Sequence, residues 1–289
     1  MSDSREHFEL HIPVAVEGES VVALLTSASA LSKQSVKRAM QNGALWLTRD
    51  RNTRRVRRVK QTLHTGDELH FYFDKAIQLT RPESAQVIAD EGRYSVLFKP
   101  RGMYCQGSKW GDHCTINRWA EHYFDRPAFI VHRLDRAASG LILIAHQKQT
   151  ARALSGLFEQ RLIKKSYRAL VHGEFSSEPL CLDGAIDGRN ALSKVALLDY
   201  DQQGDRSLLE VEIETGRKHQ IRRHLAEAGY AIVGDRLYGK QISTSGEDGN
   251  EEDLQLIAEH LAFTMPDSDE EKSYSLPEDL IPDSMKAKR

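Results

Sequence analysis

Short strand-like runs recur along this chain without the regular strand–helix–strand alternation that builds a parallel α/β sheet. Tyr94–Phe98, FIVHRLD, LILIAHQ, KKSYRALVHGEF and SLLEVEIETG each read as strands. Two helical patterns interrupt them. One runs from about Gln149 to Gln160, with Ala153, Leu154, Leu157 and Phe158 at helical spacing. The other is HQIRRHLAEAG, closed by Gly229. This mixture predicts an α+β fold with a mixed, largely antiparallel sheet.

The first 78 residues read as a separate, small α+β module. Residues 8–18 alternate as a strand and residues 20–28 suggest a short helix. Ser32 is a suitable N-cap for a helix running to about Asn42, with Gly43 as its stop. Val36 and Met40 lie four apart and face inward, leaving Lys33, Lys37 and Arg38 exposed. ALWLTRD, RRVRRVKQ and GDELHFYFD follow as three strands, and residues 75–88 as a linker containing Pro82. The expected division is 1–78, a catalytic stretch at 79–266 and a poorly ordered acidic tail at 267–289. Residues 241–253 read as a mobile acidic insertion.

A net charge of -2 conceals a strong asymmetry. Lys33–Lys60 holds ten Lys or Arg against one acid, and residues 247–289 hold thirteen acids against four bases. A local excess of that size favours a polyanionic partner, against the plainer role of a solvated helical face. Lys33, Lys37, Arg38, Arg54, Arg55, Arg57 and Arg58 are the candidate contacts to such a partner. Cys105, Cys114 and Cys181 are an odd, scattered set that suits a reducing compartment. The opening MSDSREHFEL lacks a signal-peptide pattern, and no run approaches a membrane span. A cytoplasmic, monomeric protein is expected.

Three clusters carry candidate chemistry. In HRLDRAASGL, Asp135 sits at the end of an apolar run, before a turn ending in Gly140, with Arg133 and Arg136 on either side. A nearby cation favours an ionised carboxylate able to act as a nucleophile, although an Asp that merely caps a turn and pairs with Arg fits as well. In TGRKHQIRRH, bases and amides follow a Thr-Gly turn at a helix start, a natural anion site. His219 and His224 are five apart, unlike a helical zinc pair, and no Cys-x-x-Cys occurs, so no metal site is expected. In KKSYR, Tyr167 lies among cations and suits either base stacking or core packing.

In this order, the clusters resemble the RluA-type RNA pseudouridine synthases. HRLDRAASGL resembles that family's HRLD-x-x-T/S-S/T-G segment, KKSYRALVHG its K-x-Y segment and LFKPRGM its KP-x-G opening. TGRKHQIRRHLAEAGYAIVGDRLYG resembles its TGR-x-HQIR-x-H…G-x-x-I-x-GD-x-x-YG segment. The likeness covers about residues 86–266 and departs from the pattern at Ala138, where a hydroxyl residue is usual. Residues 10–74 more loosely resemble the S4-like RNA-binding domain often fused ahead of such enzymes.

The resemblance implies cofactor-free isomerisation of uridine to pseudouridine in structured RNA. An S4-like domain leans towards ribosomal RNA, with transfer RNA the alternative. Asp135 would be the essential carboxylate, leaving open whether it attacks the sugar, attacks the ring or takes a ribose proton. Tyr167 would lie against the uracil and is a candidate base for the sugar step. Arg222 would pair with Asp135 and Ile221 would contact the ring. Arg133 would fill the gap left by a flipped base or hold the rearranged RNA. Lys99 would either line the cleft or hold the KP-x-G turn. A glycosidase-like reading would need a second acid; Asp235 is the nearest candidate, but its GD-x-x-YG context reads as a structural turn.

Overall fold

The computed structural model describes residues 6–239 and 252–287. Most of the expected acidic insertion at 241–253 lies outside them. No helix among the described residues is long and apolar enough to cross a membrane. The chain divides into two compact units, residues 1–82 with 106–123, and residues 83–105 with 124–289.

In the first unit, β1 (His7–Pro13), α1 (Val21–Ser29), α2 (Lys33–Gln41), β2 (Leu45–Arg49), β3 (Asn52–Arg55), β4 (Glu68–Asp74) and α3 (Lys75–Leu79) precede α4 (Ile116–Phe124). The strands form an antiparallel sheet in the order β1-β4-β2-β3. Ser32 caps α2 through a bond from the Ser35 amide, and Val36 and Met40 point into the core as their spacing requires. Leu69 and Phe71 on β4 meet them with Leu25, Leu45 and Leu47. Each fully buried side chain of this size contributes about 1.5–3 kcal/mol.

Three expectations for this unit change. The RRVRRVKQ strand stops at Arg55, because β2 begins at Leu45 and offers no ladder beyond the Val56–Leu45 bond. The linker opens as helix α3, which Asp74 caps by accepting from the Ile77 amide. Residues 106–123, placed by the sequence in the catalytic stretch, belong to this unit. Asp112 binds Arg55 and Arg57, Lys109 binds Glu9, and the Trp110 ring lies against His7 and Tyr72.

The second unit contains β5 (Gln86–Asp90), β6 (Tyr94–Lys99), β7 (Phe129–Ile130), β8 (Ser139–Ala145) and α5 (Lys148–Glu159). These are followed by β9 (Lys164–His172), β10 (Leu180–Leu182), β11 (Ser193–Asp201) and β12 (Arg206–Ile213). Then come α6 (Gln220–Glu227), β13 (Leu256–Thr264) and β14 (Glu271–Ser275). The sheet runs β10-β11-β12-β9-β13-β8-β6-β5, with β14 beside β13 and β7 beside β8. Every pair is antiparallel except β13 with β8. This mixed, antiparallel-dominated α+β sheet is the expected fold class. β8 is buried along its whole length, which explains its unbroken apolar run.

The tail is ordered as far as Ala287, contrary to expectation. β14 pairs with β13, the Tyr274 hydroxyl bonds that of Tyr94 at 2.7 Å, and Leu276, Ile281 and Met285 are buried. Acidic composition marked its solvent face, while its sparse apolar residues anchor it.

Candidate active site

Asp135 does not sit at the end of a strand. β7 ends at Ile130, and side chains rather than a ladder hold residues 131–138. The His132 Nε2 accepts the Leu143 amide at 2.9 Å, and its ring stacks on Phe158 at 4.3 Å. Burial, then the Lys165 charge, pushes this imidazole down to about 3, keeping the accepting nitrogen unprotonated. The Cys105 Sγ and the Leu134 backbone exchange two hydrogen bonds, each 3.2 Å.

The turn after Asp135 is fastened to the KP-x-G turn. The Gly102 amide donates to the Arg136 carbonyl at 2.8 Å, and Arg136 Nε donates to the Gly102 carbonyl at 3.3 Å. Lys99 Nζ donates to the carbonyls of Pro100, Met103 and Ala138 at 3.0, 3.0 and 2.6 Å. Ala138 thus contributes its carbonyl, and the turn closes through its amide to the Asp135 carbonyl at 3.2 Å. Gly140 has φ +116°, and a Cβ there would lie 2.3 Å from the Ala258 carbonyl oxygen; only glycine lets β13 come so close.

The cation that meets Asp135 comes from α6. The Gln220 side chain accepts from the Thr215 hydroxyl and the Arg217 amide, and donates to Leu192 and Ser193, which fixes the helix start. Arg222 then projects from the first turn. Its Nε and Nη2 grip Asp235 at 2.8 and 2.7 Å, while Nη1 reaches Asp135 Oδ2 at 3.4 Å. Burial opposes ionisation of Asp235, but Arg222 and the amides of Leu237 and Tyr238 hold its carboxyl below the usual range. The second acid near Asp135 is therefore an orienting group for Arg222, not a partner acid.

Asp135 and Arg222 line a cleft of about 400 Å³ with Arg101, Arg136, Arg236 and His219. Sequence reasoning missed His219. Its backbone is left-handed, φ +55°, at the cap of α6; Nε2 lies 3.7 Å from Asp135 Oδ1 and Nδ1 bonds the Tyr238 hydroxyl at 3.0 Å. His224 turns elsewhere, to Ser193 and the Gly184 carbonyl.

The chain is similar to known proteins. A family model described as RNA pseudouridylate synthase matches residues 93–227. An uncharacterized RNA pseudouridine synthase of Bacillus subtilis (strain 168), YlyB, is 30% identical over 231 residues, 70% of this chain and 72% of that protein. The chain belongs to the RNA pseudouridine synthase family. An uncharacterized RNA pseudouridine synthase of Aquifex aeolicus (strain VF5) is 28% identical to it over 269 residues, 81% of this synthase and 82% of the relative. The fold is also that of human RNA Pseudouridylate Synthase Domain Containing 1, with TM-score 0.59 and 22% identity over 72% of this chain and 89% of that one. The protein is thus an isomerase acting on RNA.

The other expected residues of the synthase are scattered around this centre. Tyr167 on β9 is 8% exposed and Ile221 is 5% exposed, and neither lines the cleft. Burial, aided by the Asp135 charge, pushes the Tyr167 phenol well above its usual range and keeps it neutral. Arg133 is exposed. Lys99 is fully buried, and its bonds to three carbonyls make it a tie beneath the cleft rather than a substrate contact.

Burial also pulls the Lys99 ammonium down to about 8 from 10.5. Below about pH 8 both folded and unfolded chains carry this proton, and its burial costs about 3 kcal/mol. Between about 8 and 10.5 the unfolded chain binds more protons, so stability rises with pH, by at most about 1.4 kcal/mol per unit. Urea unfolding of wild type and Lys99→Met from pH 7.5 to 10 should show this rise in wild type alone. Parallel pH curves would show that Lys99 does not titrate in the folded state.

In the first unit the basic residues divide. Lys33, Lys37, Arg38, Arg54 and Arg58 are exposed. Arg55 and Arg57 are half-buried and engaged within the unit. Both bind Asp112, and Arg55 also donates to the Ser108 carbonyl and lies over the Trp46 ring. Their spacing in the sequence gave no sign of an acid 55 positions beyond Arg57.

Proposed function

We propose that this synthase converts uridines of structured ribosomal RNA to pseudouridine, with Asp135 as the essential carboxylate. The observation that carries this reading is the placement of Asp135 at the cleft with Arg222, whose remaining donors are locked on buried Asp235. In the reaction the N1–C1′ bond breaks, C5 bonds to C1′, the C5 proton leaves and N1 gains a proton. No electrons are exchanged with a partner, so no cofactor is needed. Arg222 orients the carboxylate, and Tyr167 and Ile221, both nearly buried in the free protein, contact the uracil ring as it turns. A neutral Tyr167 favours that packing role, and proton removal from the ribose then falls to Asp135. Arg133, exposed beside Asp135, fills the gap left by the flipped nucleotide.

The first unit supports a ribosomal target through its S4-like sequence and its exposed cations. Lys33 and Lys37 line, with Lys60, a hollow beside the first turn of α1, where helix amides add to the positive field. Such contacts position RNA phosphates without reading bases. The reading places the synthase in the cytoplasm as a monomer, in keeping with its unpaired cysteines.

RNA from cells lacking the protein, labelled with [5-3H]uridine and fractionated, tests this. Release of tritium from the ribosomal fraction is expected; release from transfer RNA alone would reassign the target. A Lys33→Glu/Lys37→Glu/Arg38→Glu variant should raise KM with little change in kcat. It should also flatten the salt dependence of binding by roughly one logarithmic unit per lost phosphate contact. An unchanged salt slope would remove the RNA role of this surface.

A further inference from the structure

The outer face of the first unit's sheet brings together three groups that the synthase chemistry does not use. His11 on β1 stands directly opposite His70 on β4, and Glu68 lies two residues from His70 on the same face. The Nδ1 atoms of the two imidazoles are 2.7 Å apart, so one carries a proton shared with the other. One ligand atom from each of His11, His70 and Glu68 falls within 4.8 Å of the other two. Among the described residues, no other group of three His, Cys, Asp or Glu converges this way.

We propose that His11, His70 and Glu68 form a binding site for a divalent transition metal of the zinc type, with the ion replacing the proton shared between the imidazoles. Two imidazoles and a carboxylate suit zinc, cobalt, nickel or copper, and do not suit calcium or magnesium, which prefer oxygen cages. His70 has an oxygen positioned for its second ring nitrogen: Thr48 Oγ1 lies 2.7 Å from Nε2. Glu9 Oε1 lies 4.0 Å from His11 Nε2, beyond hydrogen-bond reach, and the other Glu9 oxygen accepts from Lys109. With Nε2 of each ring protonated, both Nδ1 lone pairs face the same point, and Thr48 supplies for His70 the outer contact that fixes a metal-binding histidine. Tetrahedral zinc with Zn–N near 2.1 Å separates its ligand nitrogens by about 3.4 Å, so the rings must part by about 0.7 Å. The His11 side chain is 46% exposed and that of Glu68 48%, which leaves both free to make that adjustment and leaves the ion a route in. The Glu68 oxygen sits 3.9 Å from His70 Nε2 and would swing towards Nδ1 to complete three protein ligands, with solvent as the fourth. Because β1 is the edge strand and β4 its only neighbour among the described residues, the ion would clip the edge of the sheet.

The test uses the tag-free, full-length, chelator-treated protein titrated with ZnCl2 in a calorimeter, with CoCl2 absorption as a second readout. One zinc per chain is expected, with a tetrahedral cobalt spectrum. His11→Ala and His70→Ala should each weaken binding at least tenfold, Glu68→Gln several-fold, and Thr48→Val up to about tenfold. Zinc should raise the melting temperature of wild type and leave that of His11→Ala unmoved. If His70→Ala fails to fold, His11→Ala decides, since its side chain is half exposed. No zinc binding by wild type, or the same binding in His11→Ala as in wild type, would overturn the site.

Discussion

Replacing Asp135 with Asn is expected to abolish pseudouridine formation while leaving the fold and RNA binding nearly intact. The substitution keeps shape and a carbonyl oxygen for Arg222 Nη1, which sits 3.4 Å from the carboxylate. It removes the charge and the basicity on which nucleophilic attack or proton removal depends. Loss of an essential group of this kind lowers kcat by about 10^4-fold or more. The Asp135 side chain is 28% exposed and its contact with Arg222 is long, so stability should move by about 1 kcal/mol or less. Tritium release from labelled RNA, run beside wild type with an RNA-binding assay, checks each part. Residual turnover within tenfold of wild type would sink the assignment of Asp135.

Asp235→Ala is expected to cause the largest loss of stability among single changes at the site. The Arg222 and Asp235 side chains are 6% and 1% exposed, joined by two short bonds. Removing the carboxylate leaves a buried guanidinium with the long contact to Asp135 and the face of the Tyr238 ring, and strips an acceptor from the amides of Leu237 and Tyr238. Breaking one side of such a pair costs about 3–5 kcal/mol. Urea denaturation at unchanged m-value measures this loss. The kcat of the surviving folded protein should also fall, since Arg222 is no longer aimed at Asp135, and Asp235→Asn should recover part of both by restoring an acceptor to the two amides. A stability change under 1 kcal/mol would show that the pair is not what holds Arg222 in place.

Much of the synthase was legible before its structure. The α2 helix could be drawn from Ser32, Val36, Met40 and Gly43, because capping and periodicity act within a few residues. The strand carrying Tyr167 and the helix carrying Arg222 were equally local in their signals. The path of residues 131–138 was not. An apolar run predicted a strand, but His132 and Cys105 take the bonds that a ladder would have used. The tail was misread because its many charges outweighed a few apolar residues that find the core only when β14 meets β13.

The sequence by itself determined most of the local elements and the family, and it put forward candidates for the chemistry, since each rests on residue types at short, fixed spacing. Tertiary structure alone decided the partnerships. Arg222 meets Asp135 across 87 positions and chooses Asp235 as its anchor, His219 turns to the cleft while His224 turns away, and Lys99 is enclosed beneath it. Asp112 takes Arg55 and Arg57 from the basic surface, and His11 meets His70 across 59 positions. Pairing between charges and rings so far apart in the chain depends on sheet register and on which groups folding removes from water, and neither is written in the neighbouring residues.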